Sequence, residues 1–141
     1  MRGTNGTRLP RSLSWPVGHW DWPMRVPFQQ GVKVGKLIFL GGQLALDVAG
    51  KAQHPQDMRA QTRVTMDFIN AILAGFGATM DDMVKVSCFY VGHGKPEALH
   101  ENLAIRSSYF ADPGPASTSV PLEKLGFEDI MLEVEGIAVL D

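Results

Sequence analysis

The sequence predicts an α+β fold, a mixed sheet with two helices on one face, and three observations predict it. The apolar period runs strand, strand, helix, strand, helix, strand, strand, which suits one helical layer on one sheet. At 141 residues and 45% hydrophobic content, the chain holds one domain with a sizeable core and has no room for a second. Several strands are apolar on both faces: Leu37 and Phe39 alternate with Ile38 and Leu40, and Val86 and Cys88 with Phe89 and Val91. Two helices cover only one face of a sheet. The other face is therefore expected to be buried by copies of the same chain, giving a symmetric oligomer with clefts between subunits.

Residues 1–14 are polar, broken by Gly3, Gly6 and Pro10, and read as a flexible tail ahead of a single domain over 15–141. Trp15, Trp20 and Trp22 follow among Pro16, Gly18 and Pro23. Such a segment cannot form a regular helix, so it lies extended and anchors on the domain or on a neighbouring subunit; it is also a candidate pocket wall. Pro27–Val34 and Leu37–Leu46 form a hairpin around Gly35-Lys36, and Gly41-Gly42 in the second strand marks a bulge or a close backbone approach.

The first helix is expected over Pro55–Ala74. Its stripe is Val64, Phe68, Ile69, Ile72 and Leu73, opposite Arg59, Arg63, Asp67 and Asn70, and Gly75 and Gly77 stop it. Val84–Val91 is the next strand. A second helix opens at Gly94–Pro96 and ends near Phe110, burying Leu99, Leu103 and Phe110. After Pro113-Gly114-Pro115 come two strands around a turn, Ala116–Leu122 and Ile130–Val139.

In that closing pair the alternation of a strand assigns faces. Ser117 and Ser119 point one way and Thr118 and Val120 the other, while Leu132 and Val134 lie opposite Glu133 and Glu135. Two carboxylates on a strand that ends in the apolar run Gly136–Val139 are the candidate chemistry, because partial burial raises a carboxyl pKa toward a useful range. The competing reading is a solvated strand face.

Composition narrows the classes. A formal net charge of -2 offers no basic field for nucleic acid. No segment approaches the ~18 apolar residues of a membrane span. The single cysteine, Cys88, lies in an apolar run, excludes an internal disulfide and fits a reducing cytoplasm. His19 with Asp21, or His93 with His100, lack a distinctive metal-ligand spacing, so neither metal nor cofactor is expected. His100 would suit acid–base work only if its helix turned it into a cleft.

With its elements placed, the chain resembles the Rid/YjgF family, whose members are trimers that hydrolyse reactive enamines and imines. The resemblance covers nearly everything after Pro27. It rests on Gln30-Gly31, Gly42-Gln43, the Val84-Lys85 strand, Asn102, Pro115-Ala116 and, most specifically, Leu132-Glu133-Val134-Glu135-Gly136-Ile137-Ala138-Val139. It implies a homotrimer with a small-molecule substrate bound between subunits, and a catalytic Glu133 that places or activates the attacking water. It implies further contacts from Phe28, a ring where the family usually has tyrosine, from the Gly42 backbone, and from Thr118 and Ser119.

The family also has an arginine directly after the position of Ala116, clamping the substrate carboxylate, where this chain has Ser117. A hydroxyl cannot replace a bidentate, charge-assisted contact. Either Arg25 or Arg106 supplies the cation from another direction, or the substrate has no carboxylate at that end. The expected function is a cytoplasmic hydrolase or deaminase adding water to an enamine, imine or related intermediate of non-standard structure. The alternative is a non-catalytic metabolite-binding or regulatory trimer. The family's older ribonuclease label ranks last, since the chain offers no basic, aromatic-lined groove.

Overall fold

The structure, a computed structural model, describes residues 9–141; the first eight positions of the expected tail lie outside the described residues. Six strands form one sheet: β1 (Ser12–Ser14), β2 (Gly31–Val34), β3 (Leu37–Gln43), β4 (Met83–Val91), β5 (Ala116–Leu122) and β6 (Leu132–Val139). Helices α1 (Met58–Ala74) and α2 (Pro96–Arg106) pack against each other and against the sheet. The strand order is β1-β2-β3-β6-β4-β5. All neighbours are antiparallel except β4 and β5, which run parallel because the α2 crossover joins them. The expected α+β class, with two helices on a mixed sheet, is the one found.

The closing strands differ from the simplest reading. β5 and β6 are adjacent in sequence but do not pair, because β6 inserts between β3 and β4. Part of the expected tail is also ordered structure. Ser12–Ser14 pairs with β2 at the sheet edge, and the Ser14 hydroxyl donates to the Ile72 carbonyl at 2.8 Å. At the other side of the hairpin, β3 ends at Gln43 and not at Leu46, because its register with β6 slips between Leu40 and Gln43, across Gly41-Gly42.

Helix α1 begins at Met58 and not at Pro55. Asp57 caps it, its Oδ1 accepting from the Ala60 N–H at 2.9 Å, while His54 (φ 50) and Gln56 (φ 64) hold left-handed backbone that no helix continues. Met66, Ile69, Ile72 and Leu73 then pack on Ile38, Leu40, Leu132 and Val134 in the main core. Val64 and Phe68 turn to a second, smaller core made by Trp20, Leu44, Leu46 and Ile130. The tryptophan segment therefore anchors on its own domain: Trp20 is 3% exposed.

Helix α2 corrects a packing expectation. Leu103 is 37% exposed, and the fully buried positions of the helix are Asn102, Ile105 and Arg106. Two polar side chains occupy the inner face because they satisfy each other there, as the site geometry shows.

Candidate functional site

The sheet divides the expected site residues into two groups. Glu133 pairs with Phe89 across β6 and β4, Ser87 pairs with Thr118 across β4 and β5, and Lys85 Nζ donates to the Thr118 hydroxyl. Partners in register share a face, so Glu133, Thr118, Phe89 and Lys85 lie on the face without helices. Ser117 and Ser119 pair with the buried Val86 and Cys88 and lie on the helix face, beside Arg106.

On the open face, Glu133 borders a cavity of about 230 Å³ walled by Trp20, Trp22, Phe28, Phe127 and the Gly41-Gly42 backbone. Burial raises the Glu133 pKa above the ordinary carboxyl range, and the charge of Glu135 two residues along adds to the shift. Gly42 is glycine for a direct reason: a Cβ there would overlap Glu133 Oε1. The bulge and the carboxylate thus fit one another at Gly42, while at Gly41 a Cβ would crowd the Gln29 carbonyl at 3.0 Å. Phe28, in the loop before β2, is 63% exposed at the cavity mouth.

A buried chain of hydrogen bonds fixes the wall. Gln43 Nε2 donates to Gln30 Oε1 at 2.8 Å and to the Gly41 carbonyl at 3.0 Å, which leaves Gln43 Oε1 to accept from His19 Nε2 at 2.8 Å. His19 therefore carries its proton on Nε2, and desolvation lowers its pKa and keeps it neutral. Phe68 meets its ring edge-on at 4.4 Å between centroids.

On the helix face, Arg106 is 2% exposed. Its Nε donates to Asn102 Oδ1 at 3.0 Å and its Nη2 to the Ser119 hydroxyl at 2.9 Å. Asn102 Nδ2 donates to the Ala98 carbonyl at 2.8 Å, so its oxygen is held toward Arg106 and the Cys88 thiol. Burial pushes that thiol up to about 11, the state of an inert cysteine. The partners of Arg106 are thus neutral, and among the described residues no carboxylate pairs with it. It lines a cavity of about 290 Å³ together with Ser117, Leu103 and Phe110, and Asp112 stands at the same cavity.

Other sequence candidates fall away from both cavities. Arg25, His93 and His100 are exposed and line neither. Among the described residues no group of three or more His, Cys, Asp or Glu side chains gathers as a metal site would need. None of the described helices is long and apolar enough to cross a membrane. Phe127 was not legible as a wall residue, since its loop carries no periodic signal.

Strand order, helix layer and strand-borne carboxylate define a small α+β domain of the YjgF-like class. The chain belongs to the Rid/YjgF family: the profile of the family described as Endoribonuclease L-PSP matches residues 22–140. A RutC family protein of Pyrococcus abyssi is 32% identical over 112 residues, covering 79% of this chain and 85% of the relative. The 2-iminobutanoate/2-iminopropanoate deaminase of Escherichia coli is 29% identical over 119 residues, covering 80% and 87%. Among solved structures, a Thermotoga maritima protein superposes with a TM-score of 0.79 at 25% identity, covering 92% of this chain and 98% of that one. Escherichia coli TdcF with bound serine shares the fold, with a TM-score of 0.74 at 22% identity over 92% and 99% of the two chains.

Proposed function

We propose that the chain is a Rid-type hydrolase that adds water to a small imine or enamine, with Glu133 as the proton-transfer group. The observation that carries the reading is a carboxyl with a raised pKa in an aromatic-walled cavity, on the β6 strand of a family that includes a 2-iminobutanoate/2-iminopropanoate deaminase. Ionised Glu133 takes a proton from water as the water oxygen bonds to the C=N carbon, and passes that proton to nitrogen. It then relays the hydroxyl proton of the resulting carbinolamine to nitrogen as the C–N bond breaks. Ammonia leaves and a carbonyl remains.

Arg106 is the substrate's carboxylate anchor in this reading. A buried cation whose hydrogen-bond partners are neutral retains its attraction for an anion, with Asp112 the one carboxylate among the described residues at the same cavity. The small Ser117 side chain leaves space in the cavity it shares with the guanidinium. The arginine expected on β5 is thereby replaced by one on α2. Within a single chain Glu133 lies on the open face on β6, while Arg106, on α2, lies on the helix face beside β5, and β4 stands between those two strands, so the sheet separates the two groups. The complete site is accordingly assembled between subunits, the Glu133 cavity of one copy meeting the Arg106 cavity of the next. A homotrimer in the cytoplasm fits this arrangement.

Ammonia release from freshly generated imines tests the proposal: acceleration is expected with 2-imino acids, and none with any imine would overturn it. Arg106→Met should raise KM about 10–100-fold for carboxylated imines, the value of a charge-assisted contact, with little change for carboxylate-free ones. A uniform loss across both would make Arg106 structural only. Gly42→Ala should lower turnover about 100-fold with little change in unfolding temperature, because the new methyl forces the Glu133 carboxylate aside. If no imine is consumed but a 2-oxo acid raises the unfolding temperature, the chain is a metabolite-binding protein instead.

A further inference from the structure

We propose that the aromatic cavity selects imines bearing a bulky apolar substituent, aryl above all, over those derived from three- or four-carbon acids. The inference rests on the reading of Glu133 as the reacting centre and names the substrate class for it. Trp20 and Trp22 meet edge-on, with centroids 5.5 Å apart at 78°, and Trp22 lies 6.3 Å from Phe127 at 42°. With Phe28 these rings supply the aromatic lining of the cavity. The Gln30 amide oxygen in the wall already accepts from Gln43, which leaves Glu133 as the cavity's charged group.

Size and rigidity both point to a large apolar occupant. An apolar cavity of about 150 Å³ accepts a benzene ring. This one offers about 230 Å³, room for a ring and for the reacting carbon beside Glu133. Trp20 cannot fold in to fill the space, because it is buried in the second core next to His19, whose ring is bonded to Gln43. Trp22 is partly buried against the same core, its ring packed edge-on to Trp20. A methyl substituent would leave most of the rings facing water. A benzyl substituent would fill the space and exclude water from the carbinolamine.

One methylene in an apolar pocket changes specificity about 10–200-fold, so a preference of at least about tenfold in kcat/KM is expected for the imine of phenylalanine over that of alanine. Both imines are generated in place with an amino-acid oxidase. Trp22→Ala should reduce the ratio toward one, and Trp22→Phe should restore most of it. Equal kcat/KM values in the wild type, or a ratio unchanged in Trp22→Ala, would overturn the inference. Binding separates its failure from that of the hydrolase reading. Phenylpyruvate should bind at least about tenfold more tightly than pyruvate by calorimetry even if no imine is turned over, and equal affinities would sink the aromatic box alone.

Discussion

Glu133→Gln is expected to lower turnover by about 100- to 10,000-fold and, at neutral pH, to raise the unfolding temperature. Glutamine keeps the shape and can still hydrogen-bond a water, but it cannot take the proton. The stability effect follows from the raised pKa. Glu133 binds its proton more firmly in the folded protein than in the unfolded chain. Its protonated form is tolerated in both states below the ordinary carboxyl range, and as pH rises through the folded-state value the native protein is left holding a desolvated charge. Stability at this position is therefore lost with rising pH, and the variant escapes the loss. The gain in unfolding temperature should vanish in acid, below the unfolded carboxyl pKa. Wild-type turnover should climb with pH through the same transition, because the ionised form is the base in the proposed mechanism. Full turnover in Glu133→Gln would remove this residue from the mechanism, and an unfolding temperature equal to wild type at every pH would show that its carboxylate is well solvated.

Phe39→Glu should convert the proposed assembly to folded, inactive monomers of 15.4 kDa, read by sedimentation together with circular dichroism. Leu37 pairs with Val139 and Phe39 with Ile137, so the four form one apolar block on the open sheet face. Leu37 and Phe39 are 43% and 44% exposed in the single chain, which is high for residues in the middle of a sheet. Burying such a phenylalanine stabilises an interface by about 1.5–3 kcal/mol per copy, and a buried carboxylate in its place costs several more. Ammonia release should disappear with assembly, since in the proposed arrangement each site needs two chains. A variant that remains assembled, or monomers that remain active, would show that the open face is not where the site is completed.

Much of this was legible in the sequence where the signal is local. The alternation of Leu132, Val134 and Glu133, Glu135 gave the correct faces of β6, and the stripe of α1 pointed at the core as its period required. Sheet order was not legible, because the insertion of β6 between β3 and β4 depends on pairings far apart in the chain. The inner face of α2 misled for another reason. An apolar stripe through Leu99 and Leu103 is what periodicity favours, yet Asn102 and Arg106 go inside because Ser119 and the Ala98 carbonyl complete their hydrogen bonds. That satisfaction is tertiary, and no window along the helix contains it. Ser12–Ser14 was hidden similarly: a short polar strand earns its place only by pairing with β2 and bonding to Ile72.

The chain His19–Gln43–Gln30 also decides how a ligand comes and goes. Swinging the tryptophan segment outward would break the contact to Gln43, leave its buried amide oxygen without a donor and bring Trp20 into water. That side of the cavity is a fixed wall and not a door. The part of the lining that stands largely in solvent is Phe28, which no such chain of buried hydrogen bonds among the described residues ties down.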